Sequence, residues 1–318
     1  MSDRETRFHS PPIFGLAALR RLTADPRHYQ IAVLGSLLVY GVTFLGFDVQ
    51  AITAATLLAS TLGVQWICGR IVGLPRFDGR SPLISGFSLC LLLRTESLLL
   101  AFAAAAITVG SKFLIRVRGK HVFNPTNFGL VVALLLFDGV WVSPGQWGTG
   151  AWLAFLLAGI GMLVTYRAER FDVTWAFLAA WALCLFGRAW YLGDPWSIPL
   201  RQIQSGAFLV FAFFMISDPK TTPDSRLGRV VYAACVAGLA AYIQFVLYQP
   251  NALILALVAC AVWVPLLDRL WPALPYVWPS ASSRSAREAE KESENVRIRP
   301  VGSLLDIRMF NPASRRSA

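Results

Sequence analysis

The sequence predicts an all-α membrane protein with about ten transmembrane helices, and three observations lead to this prediction. Only 15% of the 318 residues are charged and 56% are hydrophobic, whereas a soluble domain usually carries about 25% charged residues. The apolar residues form runs that approach the roughly 20 residues a helix needs to cross a bilayer. The Lys and Arg residues fall mainly in alternate loops between these runs.

The apolar runs are expected to be helices, because a helix satisfies its own backbone hydrogen bonds in lipid. Strands of a membrane barrel would alternate polar and apolar residues, and stretches such as LLLAFAAAAI do not. The predicted spans are 31–47, 49–68, 82–93, 97–115, 128–142, 149–166, 173–192, 203–217, 228–248 and 251–271.

The positive charges predict the orientation in the membrane. If the N-terminus is inside, 26 of the 29 Lys and Arg residues fall on the cytoplasmic side, and only Arg94, Arg188 and Arg201 fall on the other. Cytoplasmic loops of membrane proteins carry this excess. Both termini are therefore expected in the cytoplasm, in a bacterial inner membrane. The net charge of +11 is therefore explained by the position of the chain in the lipid bilayer, and nucleic acid is not expected as a partner.

The predicted organisation is one membrane domain between two cytoplasmic segments. No cleavable signal peptide is evident, and residues 12–22 could form a short helix on the inner surface. The tail is rich in Ser, Arg and Glu from Ser280 onward, a composition typical of disordered segments. The predicted segments are 1–29, the transmembrane domain 30–272 with halves of about 30–145 and 149–272, and the tail 273–318.

The cysteines and histidines do not predict a metal site. The five cysteines lie singly in apolar runs without the spacing of a metal or cluster motif, so they are expected to pack as small apolar residues. The three histidines, His9, His28 and His121, are scattered over cytoplasmic segments.

Two recurring motifs predict that the membrane domain is an inverted repeat. Ser-Gly opens the third span at 85–86 and the eighth at 205–206, and both spans are short. Pro125 and Pro250 likewise precede the fifth and tenth spans. Because five spans are an odd number, the two halves would have opposite orientations. Such paired short or Pro-interrupted segments indicate a membrane binding site, although these motifs also serve to pack helices and cap their ends.

The same motifs carry a resemblance to a known family. The stretch from Ser205 through SDPKTTP to RLGR at 226–229 resembles the B subunit of the sodium-pumping NADH:quinone oxidoreductase and the D subunit of the Rnf complex. GSK at 110–112, HVFNPTNFG at 121–129 and VPLLD at 264–268 follow the family order. The chain also resembles smaller relatives that stand alone outside complete complexes. The resemblance implies electron transfer, in which a membrane-held flavin passes electrons toward a quinone or a partner subunit, in some cases with ion movement.

The resemblance also implies a flavin attachment point, at which this chain departs from the family. Family members attach an FMN by a phosphoester to the Thr of an S-G-A-T motif. Here the motif reads Ser205-Gly206-Ala207-Phe208, and Phe208 has no hydroxyl. The expectation is therefore a non-covalent flavin (FMN or riboflavin), a quinone, or a site that has lost its cofactor.

Two pockets are predicted from the repeat. Lys112, Asn124 and Asn127 offer donors that suit flavin carbonyls or a phosphate, although Lys112 could also be a snorkelling side chain. The candidate cofactor-binding residues are Ser85, Gly86, Lys112, Asn124 and Asn127 in an inner pocket, Ser205 and Gly206 with Gln249 and Asn251 in a more apolar outer pocket, and Asp218.

Two carboxylates are candidates for an ion pathway. Asp218 ends the eighth span and Asp268 lies late in the tenth. Carboxylates in a membrane are costly and mark ion or proton sites, although Asp218 could also be a turn residue.

Three functions remain open. The first is an electron-transport subunit with redox partner subunits, in which the cofactor would supply the chemistry. The second is a small-molecule or ion transporter, since an inverted repeat with broken helices also fits alternating access. The third is a cofactor-free membrane scaffold.

Overall fold

The computed structural model describes residues 25–143, 147 and 151–278, and this part of the chain is mainly helical. The predicted surface helix at 12–22, nearly all of the N-terminal segment and the tail beyond residue 278 lie outside the described residues. The helices are α1 Pro26–Thr43, α2 Ala51–Ile71, α3 Arg80–Leu92, α4 Leu98–Leu114, α5 Pro125–Leu136, α6 Ala151–Arg167, α7 Phe171–Leu192, α8 Ser197–Ile203, α9 Gly206–Val210, a π-helix Phe211–Met215, α10 Arg226–Phe245, α11 Ala252–Ala261 and α12 Val264–Leu270.

Every predicted span overlaps one of these helices, but the helices differ in length. Three of them, α2, α7 and α10, are long and apolar enough to cross a membrane. Two bent pairs, α8 with Gly206–Met215 and α11 with α12, each turn by 49° at a short break. Among the described residues, the structure therefore has three to five helices of full spanning length. It is an all-α membrane protein, and the number of ten spans stays a prediction.

Side-chain caps mark the first turns of two helices, α5 and α10. The Asn124 side chain accepts a hydrogen bond from the Asn127 N–H, and Pro125 occupies the start of α5, where its missing N–H is not needed. The Ser225 hydroxyl accepts one from the Gly228 N–H at the start of α10. The Asn-Pro motif thus does cap a helix, which was one of its two interpretations.

Helix packing in the first five helices is repeated in the rest of the domain. Helix α2 packs on α4 as α7 packs on α10, and α4 packs on α5 as α10 packs on α11. Helix α1 packs on α3 as α6 packs on α9. The two sets meet where α5 contacts α11. This is the pairing that an internal repeat predicts.

Two short antiparallel ladders connect helix ends. Strand β1, Leu93–Thr95, pairs with β4, Val140–Val142, and so joins the ends of α3 and α5. Strand β2, Arg116–Val117, pairs with β3, Lys120–His121, in the hairpin between α4 and α5. This hairpin carries charged side chains to the candidate site.

Close helix crossings depend on glycine. A Cβ atom on Gly129 of α5 would lie 2.8 Å from the Cβ and 2.9 Å from the Cα of Thr108 in α4. One on Gly161 of α6 would lie 2.6 Å from the Cβ of Phe213 in the π-helix. Small residues let helices in membranes approach closely, where packing rather than water drives association.

Candidate functional site

Lys112 is buried at the end of α4, with 5% of its surface exposed. Its Nζ donates a hydrogen bond to the Ser81 hydroxyl at 3.1 Å, in the first turn of α3. Ser85 is buried one helical turn further along α3, so Lys112 lies near the end of α3 that carries Ser85. A buried ammonium with one hydroxyl partner among the described residues is costly in an apolar domain and marks a functional candidate.

Gly86 has a packing role. A Cβ atom at this position would lie 2.8 Å from both the Leu58 side chain and the Thr61 hydroxyl of α2. The glycine therefore allows α2 and α3 to touch.

Asn124 and Asn127 connect the two sets of helices. The Asn124 side chain donates to the Met215 carbonyl and to the Asp218 carboxylate, both at 3.3 Å. The Asn127 side chain donates to the Ile254 carbonyl of α11 at 3.0 Å. Its Oδ1 atom is buried and accepts no hydrogen bond from the described residues. A buried acceptor of this kind favours a ligand that brings a donor.

Asp218 lies three residues after the end of the π-helix at Met215, and its carboxylate accepts the hydrogen bond from Asn124. Its Oδ1 accepts a hydrogen bond from the Lys220 N–H at 3.0 Å. Burial raises the pKa of Asp218 above the ordinary aspartate value, although the Lys220 N–H and the Lys220 charge oppose this. π-Helical turns occur frequently at functional sites. We call Lys112, Asn124, Asn127 and Asp218 the polar junction.

Asp268 belongs to a separate network of ion pairs. Its Oδ2 lies 2.8 Å from the Lys120 Nζ, and its Oδ1 accepts a hydrogen bond from the Asp224 N–H at 2.8 Å. Lys120 also pairs with the Asp224 carboxylate at 3.0 Å. The network lines a cavity of about 260 Å³ between the β2–β3 hairpin and α12. Asp268 is thus an ion-pair partner that holds the hairpin, and its proposed place in an ion pathway stays a prediction.

A second buried ion pair extends this network. The Arg229 guanidinium binds both carboxylate oxygens of Asp172 at 2.6–3.0 Å and donates to the Asp224 carbonyl at 2.6 Å. Sequence reasoning missed Lys120, Asp172 and Asp224. Arg229 was noticed only within the RLGR motif.

The residues predicted for the outer pocket are not assembled in the same way. Gly206 packs on Trp147, whose Cβ would lie 2.9 Å from a Cβ at Gly206. Gln249 is exposed, and its side-chain contact is a long hydrogen bond of 3.5 Å to the Leu247 carbonyl. Phe208 is 4% exposed, and its ring lies 5.9 Å from the Phe177 ring. Phe208 is therefore buried among aromatic rings and offers no hydroxyl for a phosphoester.

The two Ser-Gly motifs lie toward opposite ends of the helix layer. Ser205 precedes α9 and Asp218 follows the π-helix, and the helical segment Gly206–Met215 between them is about 15 Å long at 1.5 Å per residue. Asp218 bonds to Asn124, near the Lys112 end of α4. Lys112 in turn bonds to the first turn of α3, where Ser85 lies. Ser85 is therefore near the polar junction and Ser205 is remote from it.

Comparison with known proteins gives a family match for the second part of the chain. Residues 136–276 match the NQR2, RnfD, RnfE family. The resemblance predicted from the motifs is thereby confirmed. Ser205, Phe208, Asp218 and Asp268 lie inside the matched range, whereas Lys112, Asn124 and Asn127 precede it.

Several relatives share one name, as the D subunit of an ion-translocating oxidoreductase complex. The protein from Mannheimia succiniciproducens is 34% identical over 118 residues, which are 37% of this chain and 32% of the relative. The one from Escherichia coli O1:K1 / APEC is 30% identical over 134 residues, 42% of this chain and 37% of the relative. The one from Psychromonas ingrahamii is 30% identical over 135 residues, 42% and 38%. The chain thus spans about a third of the length of these curated relatives.

Proposed function

From the match of residues 136–276 to the NQR2, RnfD, RnfE family, we propose that this chain is a membrane electron-transport subunit. It holds a flavin or a quinone and relays electrons to redox partner subunits. The relatives named as subunits of an ion-translocating oxidoreductase complex support this proposal and the presence of partners. Coupling to ion movement is part of the same proposal.

The observation that carries the proposal is the polar junction. A flavin ring presents two carbonyl acceptors and one N–H donor on its pyrimidine edge. The Lys112 ammonium suits a carbonyl, and the unpartnered Oδ1 of Asn127 suits the N–H. A bound flavin would supply the redox chemistry. Lys112 would hold positive charge beside the ring, and the Asp218 carboxylate, whose pKa burial raises, would be placed to take up a proton.

The flavin of this proposal is bound without a covalent link. Phe208 has no hydroxyl, and its ring packs in an aromatic cluster with Phe177 and Trp181. The remote Ser205 is separated from the polar junction by the length of α9 and the π-helix. Lys112, Asn124, Asn127 and Ser85 are therefore the favoured cofactor residues.

The membrane arrangement is also proposed. Ten spans form two five-helix halves of opposite orientation in a bacterial inner membrane, with both termini in the cytoplasm. The repeated helix pairing of α1 to α5 and α6 to α12 supports the repeat. The alternation of basic loops supports the orientation.

The test is the flavin content of the purified full-length chain. We expect a flavin absorption spectrum that disappears on denaturation and filtration. Lys112→Gln and Asn127→Leu are expected to lower bound flavin roughly tenfold each, as loss of a buried hydrogen bond would. Gln249→Ala is the matched control, because Gln249 is exposed. Equal losses in all three variants would contradict the assignment of the site, and circular dichroism checks that each variant folds.

A transporter is the second candidate. The two helix pairs bent by 49° favour it, because broken helices line the substrate sites of many transporters. Colourless protein that moves a solute across liposomes would support the transporter and contradict the electron-transport subunit.

A further inference from the structure

A second cavity lies at the end of α2, and none of its lining residues belongs to the polar junction. It has a volume of about 240 Å³ and is formed by the last turns of α2 and the loop that leads to α3. It is lined by Gln65, Trp66, Gly69, Arg70, Leu74, Pro75, Arg76 and Phe77.

Two arginines give the cavity positive charge. Arg70 and Arg76 are exposed, and neither has a hydrogen bond or an ion pair with any residue in the described part of the chain. The Arg70 guanidinium lies 5.5 Å from the centre of the Trp66 ring, which holds it at the rim. The neighbouring Asp78 cannot neutralise them, because it is already paired with Arg27 and Arg80 at 2.8 Å each.

The inner wall of the cavity offers a buried acceptor. Gln65 is 7% exposed, and its Oε1 atom has no hydrogen-bond donor among the described residues. Leaving such an oxygen unpaired is unfavourable, so a bound group that donates a hydrogen bond is favoured here. Gln65 is therefore a second and independent sign of a ligand, beside the two cations.

The surface around the cavity is apolar. Ile67, Ile71, Leu74 and Phe77 are all exposed large hydrophobic side chains. Ile67 and Ile71 lie in the last turns of α2, which is long and apolar enough to cross a membrane, and Leu74 and Phe77 follow its end. Cations beside exposed apolar side chains at a helix end are suited to the boundary between lipid head groups and acyl chains.

We propose that this cavity binds the head group of an anionic glycerophospholipid that carries a hydroxyl group, as phosphatidylglycerol does. The phosphodiester lies between Arg70 and Arg76, and a head-group hydroxyl donates to the Gln65 Oε1. The acyl chains lie along Ile67 and Ile71. A zwitterionic head group fits less well, because its ammonium group would add positive charge beside two unpaired guanidinium groups.

The test measures lipid binding to the purified full-length chain by native mass spectrometry. The lipids are phosphatidylglycerol, phosphatidylmethanol, which is anionic but has no head-group donor, and phosphatidylcholine. We expect the wild-type chain to bind phosphatidylglycerol best. The double variant Arg70→Gln/Arg76→Gln should lower that binding roughly tenfold or more. Arg118→Gln/Arg269→Gln is the matched control, because it removes two exposed arginines that do not line this cavity.

The variant Gln65→Leu tests the acceptor separately. It should lower binding of phosphatidylglycerol roughly three- to tenfold, as expected for one hydrogen bond, and leave binding of phosphatidylmethanol unchanged. Unchanged binding of phosphatidylmethanol also shows that the variant is folded.

Three results would overturn the proposal. Equal losses in the two double variants would mean diffuse electrostatic attraction. A wild-type chain that does not distinguish the two anionic lipids would leave Gln65 without a role. Displacement of the lipid by an equal concentration of glycerol 3-phosphate would mean a site for a soluble phosphate ester. None of these results affects the proposed function, because the cavity shares no residue with the polar junction.

Discussion

Phe208 determines how a flavin can be held, because it replaces a hydroxyl with a ring. The ring is buried against Phe177 and Trp181. We predict no fluorescent flavin band from the wild-type chain on a denaturing gel. Phe208→Thr supplies a hydroxyl but removes ring contacts, at about 3 kcal/mol of stability, whereas Phe208→Leu is the apolar control. Covalent FMN mapped to Ser205 by mass spectrometry would refute the prediction.

His121 makes the stability of the folded chain depend on pH. Burial, aided by the positive charges of Arg116 and Lys112, lowers its pKa from 6.5 to about 4. The unfolded chain therefore binds a proton more readily between these two values. The stabilising contribution of neutral His121 is complete above about pH 6.5 and is lost as the pH falls toward 4.

Thermal unfolding in detergent at several pH values checks this effect. The unfolding temperature of the wild-type chain should fall between pH 7 and pH 4, and that of His121→Gln should fall less. Identical pH profiles for the two chains would show that His121 does not contribute.

Single residues were predictable where their chemistry is local. The missing hydroxyl of Phe208 is visible in the sequence, and so is the cap at Asn124. The partners of Lys120 were not predictable, because Asp268 is 148 residues away and no local sequence pattern indicates the pair. In the sequence Gln65 is an ordinary polar residue near a helix end, and only the structure shows that its Oε1 atom is buried without a hydrogen-bond donor among the described residues.

At the scale of helices, the close crossing of α4 and α5 at Gly129 can be tested directly. Gly129→Ala should push α5 away from Thr108 of α4 and cost about 1–3 kcal/mol, as overpacking does. Thr108→Ala in the same chain should recover part of that loss by removing the hydroxyl. Gly110→Ala is the control, because a Cβ there meets nothing within 4 Å. Equal unfolding temperatures for Gly129→Ala and Gly110→Ala would contradict the close crossing.

The positions of the helices were predictable from the apolar runs, but the apolar runs alone do not indicate the breaks within them. The run 251–271 reads as one span, yet the structure divides it into α11 and α12. Pro265 at the start of α12 lacks an N–H and crowds the carbonyl of Ala261, which ends α11 there. Hydropathy does not register this, because proline does not interrupt the apolar composition.

At the scale of the whole molecule, orientation is the property to test. Reporter fusions at Gly119 and Arg226 should report cytoplasm, and a fusion at Asp194 should report the outside. The reason is the excess of Lys and Arg in the predicted inner loops. A cytoplasmic signal at Asp194 would refute the ten-span topology. The inverted repeat stays a prediction from two motifs, whereas the side chains that join the two sets of helices are visible only in the three-dimensional arrangement.

The pairing of Lys120 with Asp224 and Asp268 has a consequence for how the protein is made. The chain emerges from the ribosome at about 5–20 residues per second, so the 148 residues that separate Lys120 from Asp268 take roughly 7–30 s to synthesise. Asp224 is synthesised after 104 of these residues (224 − 120) and Asp268 only at their end, so the hairpin that carries Lys120 lacks both carboxylates for most of that interval. The pair between Lys120 and Asp268 can therefore close only after α12 has been synthesised, whereas the pair with Asp224 can close earlier.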